Sequence, residues 1–155
     1  MKRTVTVALI AVSQLVLVGV AVAPQLSARV LGDTYLVRVA PVDPIDPFRG
    51  AYVALDYPDL RHDDRQSSGE GGDLYVSLVE EDGVWTAGEW SRQRPADGPY
   101  LACDDRSWQV RCGIESWFLP QDEAREAERL LQDGAVAEIK VDSRGNAAVV
   151  GVRAG

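Results

Sequence analysis

The sequence has very few of the side chains from which metal centres and many catalytic sites are built. It contains one histidine, His62, and two cysteines, Cys103 and Cys112, among 155 residues. Two thiols and one distant imidazole fill no usual zinc pattern. The sequence also lacks a glycine-rich phosphate loop, a dinucleotide fingerprint and any metal-binding motif. We therefore predict that the protein uses no metal and no cofactor.

The shortage of histidine and lysine also restricts nucleophilic hydrolysis. His62 stands beside Asp63 and Asp64 in a polar stretch, where a solvated and poorly oriented imidazole is expected. Lys140 is the only lysine after Lys2, and an acidic residue lies two positions away on each side of it. Such neighbours favour the charged ammonium, whereas a general base needs the neutral amine. The sequence therefore disfavours both a His-dependent triad and a Ser-Lys peptidase.

No charged side chain occurs from Thr4 to Ala28, and this apolar run follows Lys2 and Arg3 directly. A helix of about 20 residues crosses the hydrocarbon core of a bilayer, whereas the apolar part of a secretory signal is usually about 7 to 15 residues long. The length therefore favours a membrane-spanning helix. Basic residues on the short side predict a cytoplasmic N-terminus. We predict that residues 1–28 are a single-pass membrane anchor and that residues 29–155 lie outside the cytoplasm.

The anchor also contains a tempting cleavage signature, Ala21-Val22-Ala23. Pro24 follows it, and a proline just after the scissile bond fits poorly in a protease that binds its substrate in extended form. We therefore predict an uncleaved anchor. A mature chain that starts near Pro24 or Arg29 would contradict this prediction.

The part after the anchor is acidic and long enough for one domain. It keeps 14 of the 16 lysines and arginines and all 24 acidic residues, which gives a net charge near −10. Nucleic-acid binding requires a basic face, so the sequence predicts no nucleic-acid partner. About 127 residues suffice for one hydrophobic core.

Alternation of apolar and polar residues predicts strands in most of this part. TYLVRVA (34–40) and AYVALDY (51–57) both alternate with period two. The second run places four residues on its core-facing side: Ala51, Val53, Leu55 and Tyr57. Two hairpins are predicted, one turning at residues 81–83 and the other at DSRGN (142–146), with a further strand at residues 110–120.

The remaining segments complete the predicted architecture. Residues 58–73 are rich in charge, serine and glycine, which predicts an exposed, mobile loop. Residues 120–134 have acids near their start, an apolar stripe and a final glycine, which predicts a helix packed on a sheet. We predict an α+β fold: a mainly antiparallel β domain with one packed helix, preceded by a transmembrane helix.

Cys103 and Cys112 both fall in the part predicted to lie outside the cytoplasm. In an oxidising compartment, a disulfide is the default state of such a pair. The intervening residues, DDRSWQVR, are enough for a hairpin loop with two short strand ends. We predict a disulfide that joins those ends.

Prolines at positions 41, 44 and 47 predict a polyproline II segment over residues 40–47. Its three residues per turn place Asp43, Asp46 and Arg49 on one stripe. Successive members are then about 9 Å apart, too far for two carboxylates to hold one Ca²⁺. We interpret the segment as a strand entrance, in which an aspartate bonds a backbone N–H or Arg49 and Gly50 supplies the turn.

The same stretch, PVDPIDPFRGAYVALDY (41–57), resembles the defining motif of the bacterial GDYXXLXY family. These are predicted membrane-anchored proteins in which a PVDP-type segment precedes R-G-D-Y and a strand. GIESWFLP (113–120) is similar to the family's second recurrent stretch, and the C-terminal hairpin is similar as well. The resemblance covers most of residues 33–152 and implies a membrane-anchored protein of a bacterial cell, but no particular activity.

Four residues match the family motif: Gly50, Tyr52, Leu55 and Tyr57. Ala51 stands where the family has an aspartate. Any chemistry that requires that carboxylate would therefore be absent from this protein. The matching residues suit strand packing more than reaction chemistry.

Two other carboxylates stand in apolar surroundings, Glu89 and Glu115. A carboxyl group buried among aromatic rings can act as an acid. Alternatively, these residues face water or pair with an arginine such as Arg92 or Arg111. A ligand groove could be lined by the tryptophans, although core packing is their commoner role: Trp85, Trp90, Trp108 and Trp117.

The sequence thus favours a domain that acts by contact with another envelope or integral membrane protein, or with its own copies. Seven residues are candidates for a binding site: Asp43, Asp46, Arg49, Gly50, Tyr52, Tyr57 and Glu115. Two alternatives stay open. One is an envelope hydrolase that uses Glu115, and the other is a module that binds a small ligand or a cation through its acidic loop.

Overall fold

The computed structural model describes residues 2–41, 52–62, 71–107, 109–119, 129–131 and 134–155. Its first element is one long helix, α1 (Lys2–Leu31), which continues past the predicted end of the anchor. The part of α1 from Val5 to Leu31 is long and apolar enough to cross a membrane. Its most apolar window is not covered by the rest of the described protein.

In the described parts of the chain, eight strands follow α1. Their bounds are β1 (Asp33–Pro41), β2 (Tyr52–Asp56), β3 (Asp73–Glu81), β4 (Val84–Ser91), β5 (Tyr100–Asp104), β6 (Ser116–Phe118), β7 (Ala135–Val141) and β8 (Ala147–Ala154). They form a five-stranded sheet in the order β6-β2-β1-β7-β8 and a three-stranded sheet in the order β4-β3-β5. Every strand pair is antiparallel, which confirms the predicted α+β class.

Both sheets contribute to a single hydrophobic core. Val37 of β1, Val76 of β3 and Ile139 of β7 are fully buried in it. The period-two pattern of β2 is also confirmed, because Val53, Leu55 and Tyr57 belong to this core. Ala51, predicted for the same side, lies outside the described residues.

Both predicted hairpins are present. Asp82 and Gly83, with φ of 52° and 82°, form the two-residue turn between β3 and β4, as such a turn requires. The second hairpin joins β7 and β8. The strand predicted at residues 110–120 is much shorter, because β6 spans only Ser116–Phe118. Gly113 has φ of 83° just before β6, and this left-handed conformation ends the extended backbone.

Two further predictions fall partly outside the described residues. Of the predicted helix over 120–134, only residues 129–131 and 134 are described, and residues 129–131 are helical. Leu131 is buried in the core, and Gly134 has φ of 94° where the helix was predicted to end. Of the predicted loop over 58–73, Pro58–Leu60 form a short 3-10 helix and Leu60 is buried.

The β7–β8 turn of the five-stranded sheet contacts β5 of the three-stranded sheet. Gly145 has φ of 82°, and its carbonyl oxygen accepts a hydrogen bond of 2.9 Å from the N–H of Ala102 on β5. A Cβ atom at position 145 would lie 2.5 Å from the Tyr100 ring and 2.8 Å from the Ala102 nitrogen. Only glycine therefore fits this contact.

Gly145→Ala is expected to destabilise the protein by about 2 to 4 kcal/mol, because it adds a steric collision to the strain of a positive φ. Gly83→Ala is a matched control, since Gly83 has the same φ but open space around it. The control should lose only about 1 kcal/mol. Denaturant unfolding of the full-length protein in detergent measures both losses, and equal losses would contradict the close contact.

Candidate functional site

The C-terminal end of α1 is bonded to two loops of the β domain. Gln25 Nε2 donates a hydrogen bond of 3.1 Å to the carbonyl oxygen of Gly113, just before β6. Ser27 Oγ donates a bond of 2.5 Å to Asp142 Oδ2, in the β7–β8 turn. We call these contacts of residues 25–32 the helix–hairpin junction. It joins parts of the chain that are 88 and 115 residues apart.

Close packing reinforces the junction. Ala28 is fully buried. A Cβ atom at Gly32 would lie 2.3 Å from the carbonyl oxygen of Ala28 and 2.8 Å from the nitrogen of Val141. Lys140 Nζ donates a bond of 3.2 Å to the carbonyl oxygen of Arg29, which satisfies one of the last carbonyls of α1. The end of the helix is therefore part of the folded domain.

Asp142 is the buried charge at the centre of the junction, with a side chain that is 3% exposed. Its Oδ1 accepts bonds from the backbone N–H groups of Arg144 and Asn146, at 2.9 and 3.0 Å. Its Oδ2 accepts bonds from Asn146 Nδ2 at 2.9 Å and from Ser27 Oγ. Burial alone would raise the pKa of Asp142, but the bonds from Asn146, Ser27 and the backbone lower it to about 2. The carboxylate is therefore a charged brace and not a proton donor at neutral pH.

A groove of about 840 Å³ opens beside the junction. Its walls are the last turns of α1, the start of β1, residues 94–100 and the β7–β8 turn. Arg94 Nη2 and the Tyr100 hydroxyl both donate to the carbonyl oxygen of Ser143, at 2.6 and 3.0 Å. The Arg94 guanidinium lies 5.3 Å from the centre of the Tyr100 ring, within cation–π range. The side chains of Arg94 and Tyr100 in this wall are therefore held in place by contacts within the protein.

A second arginine of the groove belongs to the turn itself. Arg144 Nη2 donates to Ser27 Oγ at 3.0 Å and lies 3.6 Å from Asp142 Oδ2, while its side chain is 63% exposed. Guanidinium groups bind carboxylate and phosphate oxygens through several N–H donors at once. The groove can therefore bind an anionic group through Arg94 and Arg144.

Residues from the two family-like stretches, 41–57 and 113–120, contact each other in a second cluster next to Gly113. The Leu55 N–H donates to the carbonyl oxygen of Glu115 at 2.9 Å. The buried Tyr57 hydroxyl donates to the carbonyl oxygen of Ile114 at 2.8 Å. Burial, and then the charge of Glu115, raise the pKa of Tyr57 far above its ordinary value. Tyr57 is therefore a neutral donor that holds the loop before β6.

The Glu115 side chain also holds the loop before β6, by bonding backbone groups of that loop. Its carboxylate accepts the backbone N–H of Cys112, and it lies 3.1 Å from the nitrogen of Gly113. The predicted disulfide is confirmed, since Cys103 of β5 is bonded to Cys112. Asp104 and Arg111 form a single antiparallel backbone pair, which provides the two strand ends predicted on either side of the loop. Backbone N–H groups therefore engage the Glu115 carboxylate and fix the loop before β6.

The structure brings together two of the predicted binding residues, Tyr57 and Glu115. Tyr52 pairs with Phe118 through the β2–β6 ladder. Four other candidates lie outside the described residues: Asp43, Asp46, Arg49 and Gly50. A binding role for these seven residues stays a prediction.

The other candidates lie elsewhere in the domain. Glu89 is exposed on β4 and shares a groove of about 450 Å³ with His62, whose ring lies 4.8 Å from that of Trp90. Arg92, considered as a partner of the carboxylates, pairs with Asp105. The core-packing interpretation holds for Trp85, Trp90 and Trp117, which pack against the core, whereas Trp108 is not described.

Sequence reasoning missed the helix–hairpin junction and the arginines of the groove. Some local signals were present. Gln25 and Ser27 are polar residues at the end of an apolar helix, and Asp142 starts a turn of the kind in which aspartate binds its own backbone. No local pattern shows that these two signals meet. The described residues contain no group of three His, Cys, Asp or Glu side chains that could hold a metal ion.

The fold and the junction together define a class: an α+β domain attached directly to the end of an N-terminal helix that is long and apolar enough to span a membrane. The model of the GDYXXLXY protein family matches residues 14–152, which is most of the chain. The chain therefore belongs to the GDYXXLXY family. No curated protein and no solved structure matches it.

Tyr57→Phe is expected to destabilise the protein by about 1 to 2 kcal/mol, because the carbonyl of Ile114 loses its buried donor. Denaturant unfolding at neutral pH measures the loss. Tyr75→Phe is a control for the removal of a hydroxyl from a half-buried tyrosine. Unchanged stability of Tyr57→Phe would show that the hydroxyl does not hold the loop.

The Asp142 carboxylate is expected to make stability depend on acid. Its pKa is about 2 in the folded protein against 3.8 in the unfolded chain, so its contribution is present above pH 4 and is lost as the pH falls towards 2. Asp142→Asn should cost about 2 kcal/mol at neutral pH.

The difference in unfolding free energy between wild type and Asp142→Asn, measured from pH 7 to pH 2, should shrink over the acidic part of that range. Asp97→Asn, on an exposed loop, serves as the control and should show no such trend. A constant difference for Asp142→Asn would contradict the role of the buried charge.

Proposed function

We propose that α1 anchors this protein in a bacterial cell membrane and that the β domain lies outside the cytoplasm, where it acts by contact with another envelope or membrane protein or with its own copies. Lys2 and Arg3 on the short side of α1 support a cytoplasmic N-terminus. The Cys103–Cys112 disulfide suits an oxidising compartment outside it.

The helix–hairpin junction is the observation on which this proposal rests. Four hydrogen bonds join the end of α1 to the β domain. Their donors are the side chains of Gln25, Ser27, Lys140 and Arg144. A flexible linker would let a domain reach partners in any orientation. A helix that ends inside the domain fixes the orientation of the domain to the membrane. That geometry suits a protein that meets partners held in the same membrane.

One face of α1 can pack against another helix. A Cβ atom at Gly19 would meet nothing within 4 Å, and Ala23 lies four residues further on. Pairs of small residues at this spacing let helix backbones approach closely in membranes. The Ser13 hydroxyl donates its hydrogen within the same helix, from Oγ to the carbonyl oxygen of Leu9 at 2.8 Å. It therefore does not donate that hydrogen to a second helix.

Photocrosslinking in native membranes tests the contact function. A photoreactive residue replaces Val16 in one variant and Leu17 in another, both exposed on α1. Val16 lies three residues before Gly19 and shares its face, whereas Leu17 lies two residues before it and points elsewhere. We expect a defined crosslinked species from the Val16 variant and a much weaker one from the Leu17 variant.

The mass of the crosslinked species distinguishes a second copy of this chain from another protein. Recovery of monomer alone from both variants, under conditions that crosslink a known membrane dimer, would contradict contact through this face of α1. Fractionation of the same cells tests the anchor independently. Intact chain in the soluble fraction, with both thiols reduced, would contradict the proposed location.

A further inference from the structure

The groove beside the helix–hairpin junction lies at a defined depth if α1 spans the membrane. The span Val5–Leu31 has 27 residues, which at about 1.5 Å per residue extends about 40 Å. The hydrocarbon core takes up about 30 Å, or about 20 residues. A span that starts at Val5 therefore leaves the hydrocarbon near Pro24, and Ser27 and Leu31, which line the groove, reach the headgroup layer.

The exposed charges of the groove have a particular arrangement. Arg94, in the segment that ends at Tyr100, and Arg144, in the β7–β8 turn, both line the groove. Each is fixed by a bond to Ser143 or Ser27 and keeps further N–H donors. Asp33, which starts β1 two residues after α1 ends, is exposed on another wall. Asp142 also lines the groove, but its oxygens are occupied by four hydrogen-bond donors. The groove thus offers two cationic groups and one anionic group.

Two tyrosines extend this arrangement. Tyr35 and Tyr100 both line the groove, and the Arg94 guanidinium packs on the Tyr100 ring. Amphipathic tyrosine rings are favoured at the level of lipid headgroups, where one side is apolar and the other is wet. Tyr35 is half-buried, whereas Tyr100 is buried, so Tyr35 is the ring that a headgroup in the groove can contact.

We propose that this groove binds the headgroup of a phospholipid that carries a primary amine. The phosphate lies between Arg94 and Arg144, and the ammonium group lies at Asp33. A phosphate at headgroup depth is the most abundant partner for two guanidinium groups. Asp33 favours a headgroup that carries its own cation over one that is purely anionic. A primary ammonium can also donate N–H bonds to the Asp33 carboxylate, whereas a trimethylammonium group has no N–H to donate.

This binding has a physical consequence for the domain. Residues 29–155 carry a net charge near −10, so an anionic membrane surface repels them. A headgroup held in the groove fixes the junction side of the domain against the lipid surface in spite of this repulsion. The inference rests on the proposed membrane anchoring, and it adds a ligand to that site.

Native mass spectrometry of the full-length protein in detergent tests the proposal. Short-chain phosphatidylethanolamine, phosphatidylglycerol and phosphatidylcholine are titrated separately, and the bound lipid per chain gives an apparent affinity. We expect the ethanolamine lipid to bind most tightly. Arg94→Gln and Arg144→Gln should each weaken its binding by about fivefold, the usual effect of one cation near a headgroup.

Three further variants make the result specific. Arg153→Gln, an exposed arginine at the far end of β8, should leave binding unchanged. Asp33→Asn should remove the preference for ethanolamine over glycerol. Arg144→Lys keeps the cation in case Arg144→Gln weakens the junction, and it should restore most of the binding while unfolding curves confirm an intact fold.

Equal binding by wild type, Arg94→Gln and Arg153→Gln would overturn the proposal, because lipid would then coat α1 without using the groove. Tighter binding of phosphatidylglycerol than of phosphatidylethanolamine would overturn it as well. Failure of the anchor has a different signature, since the intact chain would then be found in the soluble fraction of the cell. A chain that stays in the membrane but shows no headgroup dependence sinks this inference alone.

Discussion

The buried carboxylate of Asp142 is the interaction on which the arrangement of this protein depends. Four donors surround it, and one of them, Ser27, comes from α1. The other three shape the β7–β8 turn, whose Gly145 lies against β5 of the second sheet. The helix bonds this carboxylate directly, and the three-stranded sheet bonds the turn that the carboxylate shapes. Because a buried charge is costly unless it is fully hydrogen-bonded, separation of α1 would remove one of its four donors and destabilise the turn.

The family motif has a structural meaning in this chain. Leu55 of β2 and Tyr57, just after the strand, stand two residues apart, and both side chains belong to the core. Here the Leu55 N–H and the Tyr57 hydroxyl hold the backbone of residues 114 and 115, which belong to the second recurrent stretch. The spacing of the motif thus serves to dock one loop. That loop in turn presents the Gly113 carbonyl to Gln25 of α1.

The sequence was informative where structure depends on neighbouring residues. The hairpin turn at Asp82-Gly83, the core face of β2 and the Cys103–Cys112 pair all follow from short patterns, and all are present. The pattern failed at residues 110–115, where apolar residues suggested a strand but Gly113 adopts a positive φ and Glu115 binds the preceding N–H groups. An apolar run reports burial, and burial does not distinguish a strand from a loop that is packed into the core.

The junction could not be predicted in this way, because its partners are brought together only by the fold. This matters for what counts as the domain. A fragment that starts at Arg29 would lack Gln25 and Ser27. It would therefore lose the bond to Gly113 and one donor to Asp142. A chain that starts at Pro24 would keep both. Composition sets the boundary between anchor and domain at residue 28, which lies within α1. The hydrogen bonds between α1 and the domain begin earlier, at Gln25. The last turns of the helix belong physically to the domain, because their polar side chains have hydrogen-bond partners there.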